Sequence, residues 1–273
     1  MEKKILFLDL DGTLLNDRKE ITPGNRRALD HLQRDGHRVV ITTGRPLKSA
    51  MEQARRLEMD RPGCFLIAFN GAAIYDWERQ AQVFVQGLEL PAVLQVFAYA
   101  NSKNLHIQTY DAREVLVERR CDDAAVRRYC GLVEMDFRVV ENIRGALREP
   151  PAKALVIDYD DQAGLRQTEQ WLRQKMAHQV DCFFSCDQYL EIVPKGINKG
   201  EAVRRLCGIV NIPIEATVAV GDAANDLSML RAAGIGVSMA NATDEVKAAA
   251  DAVTQCDNNH DGVAEVIAKY FSR

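Results

Sequence analysis

Four short segments carry the residues that could do chemistry. Asp9-Leu10-Asp11-Gly12-Thr13 closes the apolar run Ile5-Leu6-Phe7-Leu8, and Thr42-Thr43-Gly44-Arg45 closes a second run, Val39-Val40-Ile41. Gly196-Ile197-Asn198-Lys199-Gly200 and Gly221-Asp222-Ala223-Ala224-Asn225-Asp226 come much later in the chain. Residues i and i+2 of an extended chain point to the same side, so Asp9 and Asp11 fall together while Leu10 turns away. Gly12 lets the chain bend there without a Cβ penalty. If Asp222 and Asp226 join them, four carboxylates share a small volume, and like charges at ~4 Å repel by about 4 kcal/mol at an effective dielectric of ~20. Such a cluster needs a cation. Lys199 supplies one positive charge and a divalent ion two. Oxygen donors without cysteine or histidine favour Mg²⁺ over zinc.

A site with Mg²⁺, a lysine, a threonine hydroxyl and glycine amides suits a phosphoryl group, since each part stabilises charge on the equatorial oxygens. No Gly-x4-Gly-Lys-Ser/Thr loop occurs, so the P-loop route to phosphate is absent. What remains is a carboxylate nucleophile, Asp9, forming an aspartyl-phosphate that water then hydrolyses. Asp11, one step along the chain, is placed to protonate the leaving oxygen and later to deprotonate water.

The elements that must position these residues follow from the apolar pattern. The opening segment reads as β-α-β-α-β, with strands at 5–8, 39–42 and 64–69 and helices at 23–36 and 46–59. Thr22 offers the first helix an N-cap, Pro23 its first position and Gly36 its stop. The closing segment repeats the style, with helices at 199–207, 225–232 and up to Tyr270 and strands at 217–220, 236–237 and 252–254. The expected fold is α/β, a doubly wound parallel (Rossmann-like) core in which ligands sit beyond the carboxyl ends of the strands. Between lies a helix at 91–103, paired strand-like runs at 106–109 and 115–118, a second helix-and-strand passage at 122–158, a long helix at 161–175 and two further strand runs, which together read as an α+β insert with its own core. The expected domains are a core of 1–84 and 190–273 and an inserted cap of 85–189.

With 273 residues, 47% of them hydrophobic and 27% charged, the chain can bury a sizeable core, which excludes disorder and a disulfide miniprotein. The 35 basic against 39 acidic residues leave a net charge of −4, so no nucleic-acid partner is expected. No window approaches ~18 uncharged apolar residues, and Asp9 and Asp11 cut the first apolar run short of a signal segment, so no membrane partner and a cytoplasmic location are expected. Seven scattered cysteines suit reduced thiols. His178, Cys182 and Cys186 approach metal-ligand spacing without a fourth partner, and a strand from Asp181 to Cys186 explains them without zinc.

The four segments, in this order and spacing, resemble the motifs of the haloacid dehalogenase superfamily, and specifically its Cof-type sugar phosphatases with a type C2B cap. The resemblance spans the whole chain, including the position of the insert. It implies Asp9 as nucleophile and Asp11 as general acid/base, with Mg²⁺ held by Asp9, the Asp11 backbone carbonyl and Asp222. It also implies that Leu10 (through its amide), Thr43, Gly44, Lys199 and Asn225 surround the phosphoryl group, with Asp226 orienting water on the metal. The expected activity is Mg²⁺-dependent hydrolysis of small phosphorylated metabolites, sugar phosphates above all, through an aspartyl-phosphate.

Two alternatives stay open at this point. A phosphosugar mutase or transferase would pass the phosphoryl group to a sugar hydroxyl, and acceptor choice lies in the cap, where no residue pattern names a substrate. A phospho-acceptor signalling module would also use clustered aspartates, a threonine and a lysine, though it would be a single small domain. Arg45, Asn70, Gly71 and Glu191 are candidate substrate contacts. Asn70-Gly71 reads equally as a hairpin turn and Glu191 as an ordinary strand residue. The histidines at 31, 37, 106 and 260 read as solvated.

Overall fold

A computed structural model describes residues 3–271, which form two compact units. The first comprises residues 3–44, 50–84 and 198–271, and the second residues 45–49 and 85–197. In chain order the strands are β1 (Ile5–Leu8), β2 (Arg38–Thr42), β3 (Cys64–Ala68), β4 (Ala73–Asp76), β5 (Ala81–Val85), β6 (His106–Tyr110) and β7 (Val115–Glu118). They continue as β8 (Phe137–Val140), β9 (Ala154–Ile157), β10 (Val180–Cys186), β11 (Tyr189–Pro194), β12 (Thr217–Gly221), β13 (Ile235–Ser238) and β14 (Ala252–Val253). The α-helices are α1 (Pro23–Arg34), α2 (Leu47–Arg56), α3 (Leu90–Ser102), α4 (Ala124–Val133) and α5 (Ile143–Ala146). After them come α6 (Gln162–Lys175), α7 (Lys199–Val210), α8 (Leu227–Ala232), α9 (Asp244–Ala249) and α10 (Gly262–Tyr270).

In the first unit eight strands form one sheet in the order β14-β13-β12-β1-β2-β3-β4-β5. From β14 to β3 the pairing is parallel, with Phe7 opposite both Val40 and Ala219. β1 is buried along its whole length, as a central parallel strand covered on both faces must be. Ile5, Phe7, Val40, Phe65 and Ile67 pack against Val203 and Leu206 of α7, Met229 and Leu230 of α8 and Val246 of α9. Each such side chain contributes about 1.5–3 kcal/mol by leaving water. The order places β1 between β12 and β2, so the segments leaving these three strands emerge at one edge.

β4, β5 and α9 are additional to the elements expected from the apolar pattern. β4 follows the Asn70-Gly71 turn and pairs antiparallel with β3, Ala68 opposite Ala73, so the hairpin reading of that turn holds. β5 is an edge strand whose residues are exposed or half-buried, and it lacks the apolar run that marks a central strand. Thr22 has the extended backbone of an N-cap, yet its hydroxyl donates to Asp261 and accepts from no amide of its own helix.

The second unit is built on a six-stranded sheet in the order β10-β11-β9-β6-β7-β8, antiparallel except between β7 and β8. Asp123 and Asp161 cap α4 and α6 through their carboxylates, and Tyr99 of α3 stacks on Trp171 of α6 at 4.0 Å. β11 hydrogen-bonds to both β9 and β10, so residues 190–197 belong here, which corrects the expected domain boundary before residue 190. A run such as Leu190-Glu191-Ile192-Val193 can serve either sheet, and only pairing decides which. His37 and His106, expected in solvent, are 4% and 8% exposed. All seven cysteines are free thiols, and Cys182 is buried in β10 as expected for a strand residue. No helix among the described residues is long and apolar enough to cross a membrane.

Candidate active site

Asp9 stands one residue past β1, where its amide donates to the carbonyl of Val220 at 3.0 Å and extends the ladder toward β12. The amides of Leu14 and Leu15 then turn back onto the carbonyls of Asp9 and Leu10 at 3.3 and 2.9 Å. Gly12 makes this return tight: its φ is +84°, and a Cβ there would lie 2.5 Å from Oδ2 of Asp222. Thr13, fully buried, donates its hydroxyl to Oδ1 of Asp222 at 2.7 Å. Thr13 is additional to the site residues expected from the motifs. Its signal was its position four residues beyond Asp9 in the same motif.

Lys199 opens α7, whose N-cap Asn198 accepts from the Glu201 amide at 2.9 Å. The buried ammonium reaches across 190 residues of sequence to Oδ1 of Asp9 at 2.5 Å and meets Oδ1 of Asp226 at 2.6 Å. The second oxygen of Asp226 accepts from the amides of Asp222 and Ala223 at 3.1 and 3.0 Å, which fixes the loop after β12. One carboxylate oxygen each from Asp9, Asp222 and Asp226 lie within 4.8 Å of one another.

One ammonium therefore faces three carboxylates. Burial pushes the Asp9 carboxyl well above the usual carboxylate range, and Asp226 and Asp222 add to this against Lys199. Burial likewise pushes Asp222 up to about 6, opposed by the Thr13 hydrogen bond and assisted by Asp226. Burial alone would depress Lys199, but Asp226 and Asp9 outweigh it and hold the ammonium above its ordinary value. The donor set fits a hard divalent cation, since it offers oxygen alone and carries two negative charges in excess. Asp226 is engaged through both oxygens, whereas Oδ2 of Asp9 and Oδ2 of Asp222 accept none of the hydrogen bonds described above.

Asp11 is more open, its side chain 38% exposed and paired with Lys19 at 2.8 Å. Leu10 points into the core, fully buried. Thr43 continues β2, donating its amide to Ile67 at 2.8 Å and accepting from the Asn70 amide at 3.0 Å, with Gly44 next in chain. Asn225 donates from Nδ2 to Oδ1 of Asn70 at 3.1 Å, so the turn before β4 also contacts the loop after β12. The first unit thus brings together Asp9, Thr13, Lys199, Asp222 and Asp226, and places Thr43, Gly44, Asn70 and Asn225 along the same sheet edge. Arg45 is half-buried and precedes α2. Glu191 lies in the second unit, its carboxylate taken by Lys153 at 2.7 Å and Ser185 at 2.9 Å.

A family model described as haloacid dehalogenase-like hydrolase matches residues 6–267. The phosphatase YwpJ of Bacillus subtilis is 30% identical over 285 residues, covering 97% of this chain and 98% of that protein. The 5-amino-6-(5-phospho-D-ribitylamino)uracil phosphatase YitU of the same organism is 30% identical over 282 residues, covering 100% of both. A crystal structure of a haloacid dehalogenase-like hydrolase from Bacteroides thetaiotaomicron matches with a TM-score of 0.88 at 35% identity, covering 98% of this chain and 99% of that one. The chain belongs to the haloacid dehalogenase-like hydrolases and is a phosphatase of that family.

Proposed function

We propose that this phosphatase hydrolyses phosphomonoesters of small phosphorylated metabolites, with sugar phosphates as its substrate class and Mg²⁺ as its cation. The observation that carries the proposal is the Lys199 ammonium shared between Asp9 and Asp226 beside Asp222. That arrangement orients Asp9 and leaves a charge excess for a dication. Asp9, Asp222 and the Asp11 backbone carbonyl would hold Mg²⁺. When bound, the ion offsets the repulsion between Asp9 and an incoming phosphate dianion.

An oxygen of Asp9 attacks phosphorus, the bond from phosphorus to the leaving oxygen breaks, and the Asp11 carboxyl gives that oxygen its proton. Water then attacks the aspartyl-phosphate, Asp11 takes the proton back, and the bond between Asp9 and phosphorus breaks to release phosphate. Lys199, the Thr43 hydroxyl, the amides of Leu10 and Gly44, and the Asn225 side chain stabilise the phosphoryl oxygens. Asp226 orients Lys199 and the loop that carries Asp222. The relative YitU, named for a substrate with its phosphate on a ribityl chain, supports a polyol or sugar phosphate as the class.

The test is Asp9→Asn, assayed with p-nitrophenyl phosphate and Mg²⁺ and then with a panel of phosphorylated sugars. Phosphate release should fall by at least about 10³-fold, because no other carboxylate replaces the attacking atom. Equal release by variant and parent overturns the mechanism. Uniform indifference to the sugar panel overturns the substrate class.

A further inference from the structure

The turn joining β3 to β4 is more strained than a hairpin requires. Phe69, Asn70 and Gly71 have φ of 52°, 56° and 113°, three left-handed residues in succession. Such a backbone costs roughly 1–2 kcal/mol at each of the two positions that bear a Cβ. Asn70 and Gly71 are tied to different parts of the site. The Asn70 amide bonds the Thr43 carbonyl at 3.0 Å. A Cβ at Gly44 would lie 3.0 Å from the Asn70 carboxamide, and a Cβ at Gly71 would lie 2.5 Å from the carbonyl of Asn198, the residue before Lys199. The Asn70 side chain is 1% exposed, accepts from Asn225 through Oδ1 at 3.1 Å, and leaves Nδ2 buried without a partner beside Gly44. An unsatisfied buried amide costs about 1–3 kcal/mol. A residue chosen for the turn alone would avoid that cost, since glycine accepts the backbone and exposes no polar atom.

We infer that Asn70 is a positioning residue of the phosphoryl site, acting through Asn225. A carboxamide carries two N–H bonds on one nitrogen, in fixed planar geometry. By accepting one of them Asn70 sets the rotation of the Asn225 side chain and aims the other N–H at a phosphoryl oxygen. The turn thereby clamps the Thr43-Gly44 loop, the Asn198-Lys199 loop and Asn225 to one another. This inference rests on the reading of the site as a phosphoryl-transfer centre.

The experiment is a double-mutant cycle of Asn70→Gly and Asn225→Ala. It measures KM and kcat for p-nitrophenyl phosphate in Mg²⁺ and competitive inhibition by inorganic phosphate. Asn70→Gly keeps the left-handed backbone and removes only the amide. Each single variant should raise KM and weaken phosphate inhibition by about tenfold, the worth of one hydrogen bond to a charged group. The double variant should lose no more than Asn225→Ala alone, because the same interaction is removed twice. A double variant near the hundredfold product, or an Asn70→Gly protein at parent values, overturns the inference. If Asn70→Gly does not fold, Asn70→Ala takes its place with the same kinetic expectation and a lower thermal midpoint. Asp9→Asn decides the hydrolytic reading separately, so parent-level activity there and additivity in the cycle are distinct failures.

Discussion

Each unit buries a lysine beside carboxylates, and the two lysines, both 1% exposed, serve different ends. In the second unit Lys153 meets Glu191 at 2.7 Å, its ammonium lies 5.3 Å from the Tyr110 ring centroid, and the other oxygen of Glu191 takes the Ser185 hydroxyl. Lys153, Glu191 and Ser185 stand beside β9, on β11 and on β10, so this pair ties three strands of one sheet. In the first unit Lys199 meets Asp9 and Asp226 with Asp222 close by. Burial and ion pairing are common to both. What separates them is charge stoichiometry: a matched pair braces a sheet, while a surplus of carboxylates stores repulsion that a cation and an anionic substrate can draw upon.

That contrast can be broken by substitution. Lys153→Met leaves a buried carboxylate without its ammonium and should cost about 3–5 kcal/mol in urea unfolding, whether or not Mg²⁺ is present. The double variant Lys153→Met with Glu191→Leu should recover most of the loss. A single variant within about 1 kcal/mol of the parent would mean that the pair braces nothing.

Next in size is the cation itself. Mg²⁺ at a hundredfold above its dissociation constant should stabilise the parent by about 2.7 kcal/mol. Asp222→Asn should lose this gain, whereas Lys153→Met should keep it. Equal stabilisation of parent and Asp222→Asn would place the ion elsewhere.

The smallest effect concerns His106. Its Nδ1 lies 2.9 Å from Asp123 and its Nε2 3.2 Å from Oε1 of Gln108, so both ring nitrogens face acceptors. Burial works against the charge, but contacts with Cys121 and Asp123 outweigh it and raise the imidazole above its ordinary value. A raised folded value means that the stabilisation is fully present below pH ~6.5 and is lost as pH rises through the folded value. Asp123 is 40% exposed, so screening keeps the effect under about 1 kcal/mol. Chemical unfolding between pH 6 and 8 should show the parent losing stability relative to His106→Leu. Parallel profiles would remove His106 from the account.

Much of the first unit was legible because parallel strands buried on both faces leave unbroken apolar runs, and a polar cluster after each run marks its carboxyl end. Ile5–Leu8 followed by Asp9, and Thr217–Gly221 followed by Asp222, carry that signature. The second unit was less legible. Its buried strands carry polar residues such as Gln108 and Thr109 that interrupt the apolar runs, its edge strands β8 and β10 are partly exposed, and β11 suits either sheet by composition. The histidines went astray for a related reason: His37 accepts from the Lys4 amide at 3.1 Å, and His106 contacts Asp123 across a loop, partners that no spacing rule links to them.

By itself the amino-acid sequence determined the α/β core, the starts of α1, α3, α6 and α7 and the set of chemical groups: paired aspartates, a lysine, a threonine and glycines after apolar runs. These follow from local periodicity and side-chain chemistry. Tertiary structure alone decided the rest. It gave residues 190–197 to the second sheet and brought the Lys199 ammonium to Asp9 and Asp226. It also tied a left-handed Asn70 to Asn225, 155 residues away. Such pairings depend on which segments the folded sheet makes neighbours, and a chain read residue by residue carries no measure of distance through space.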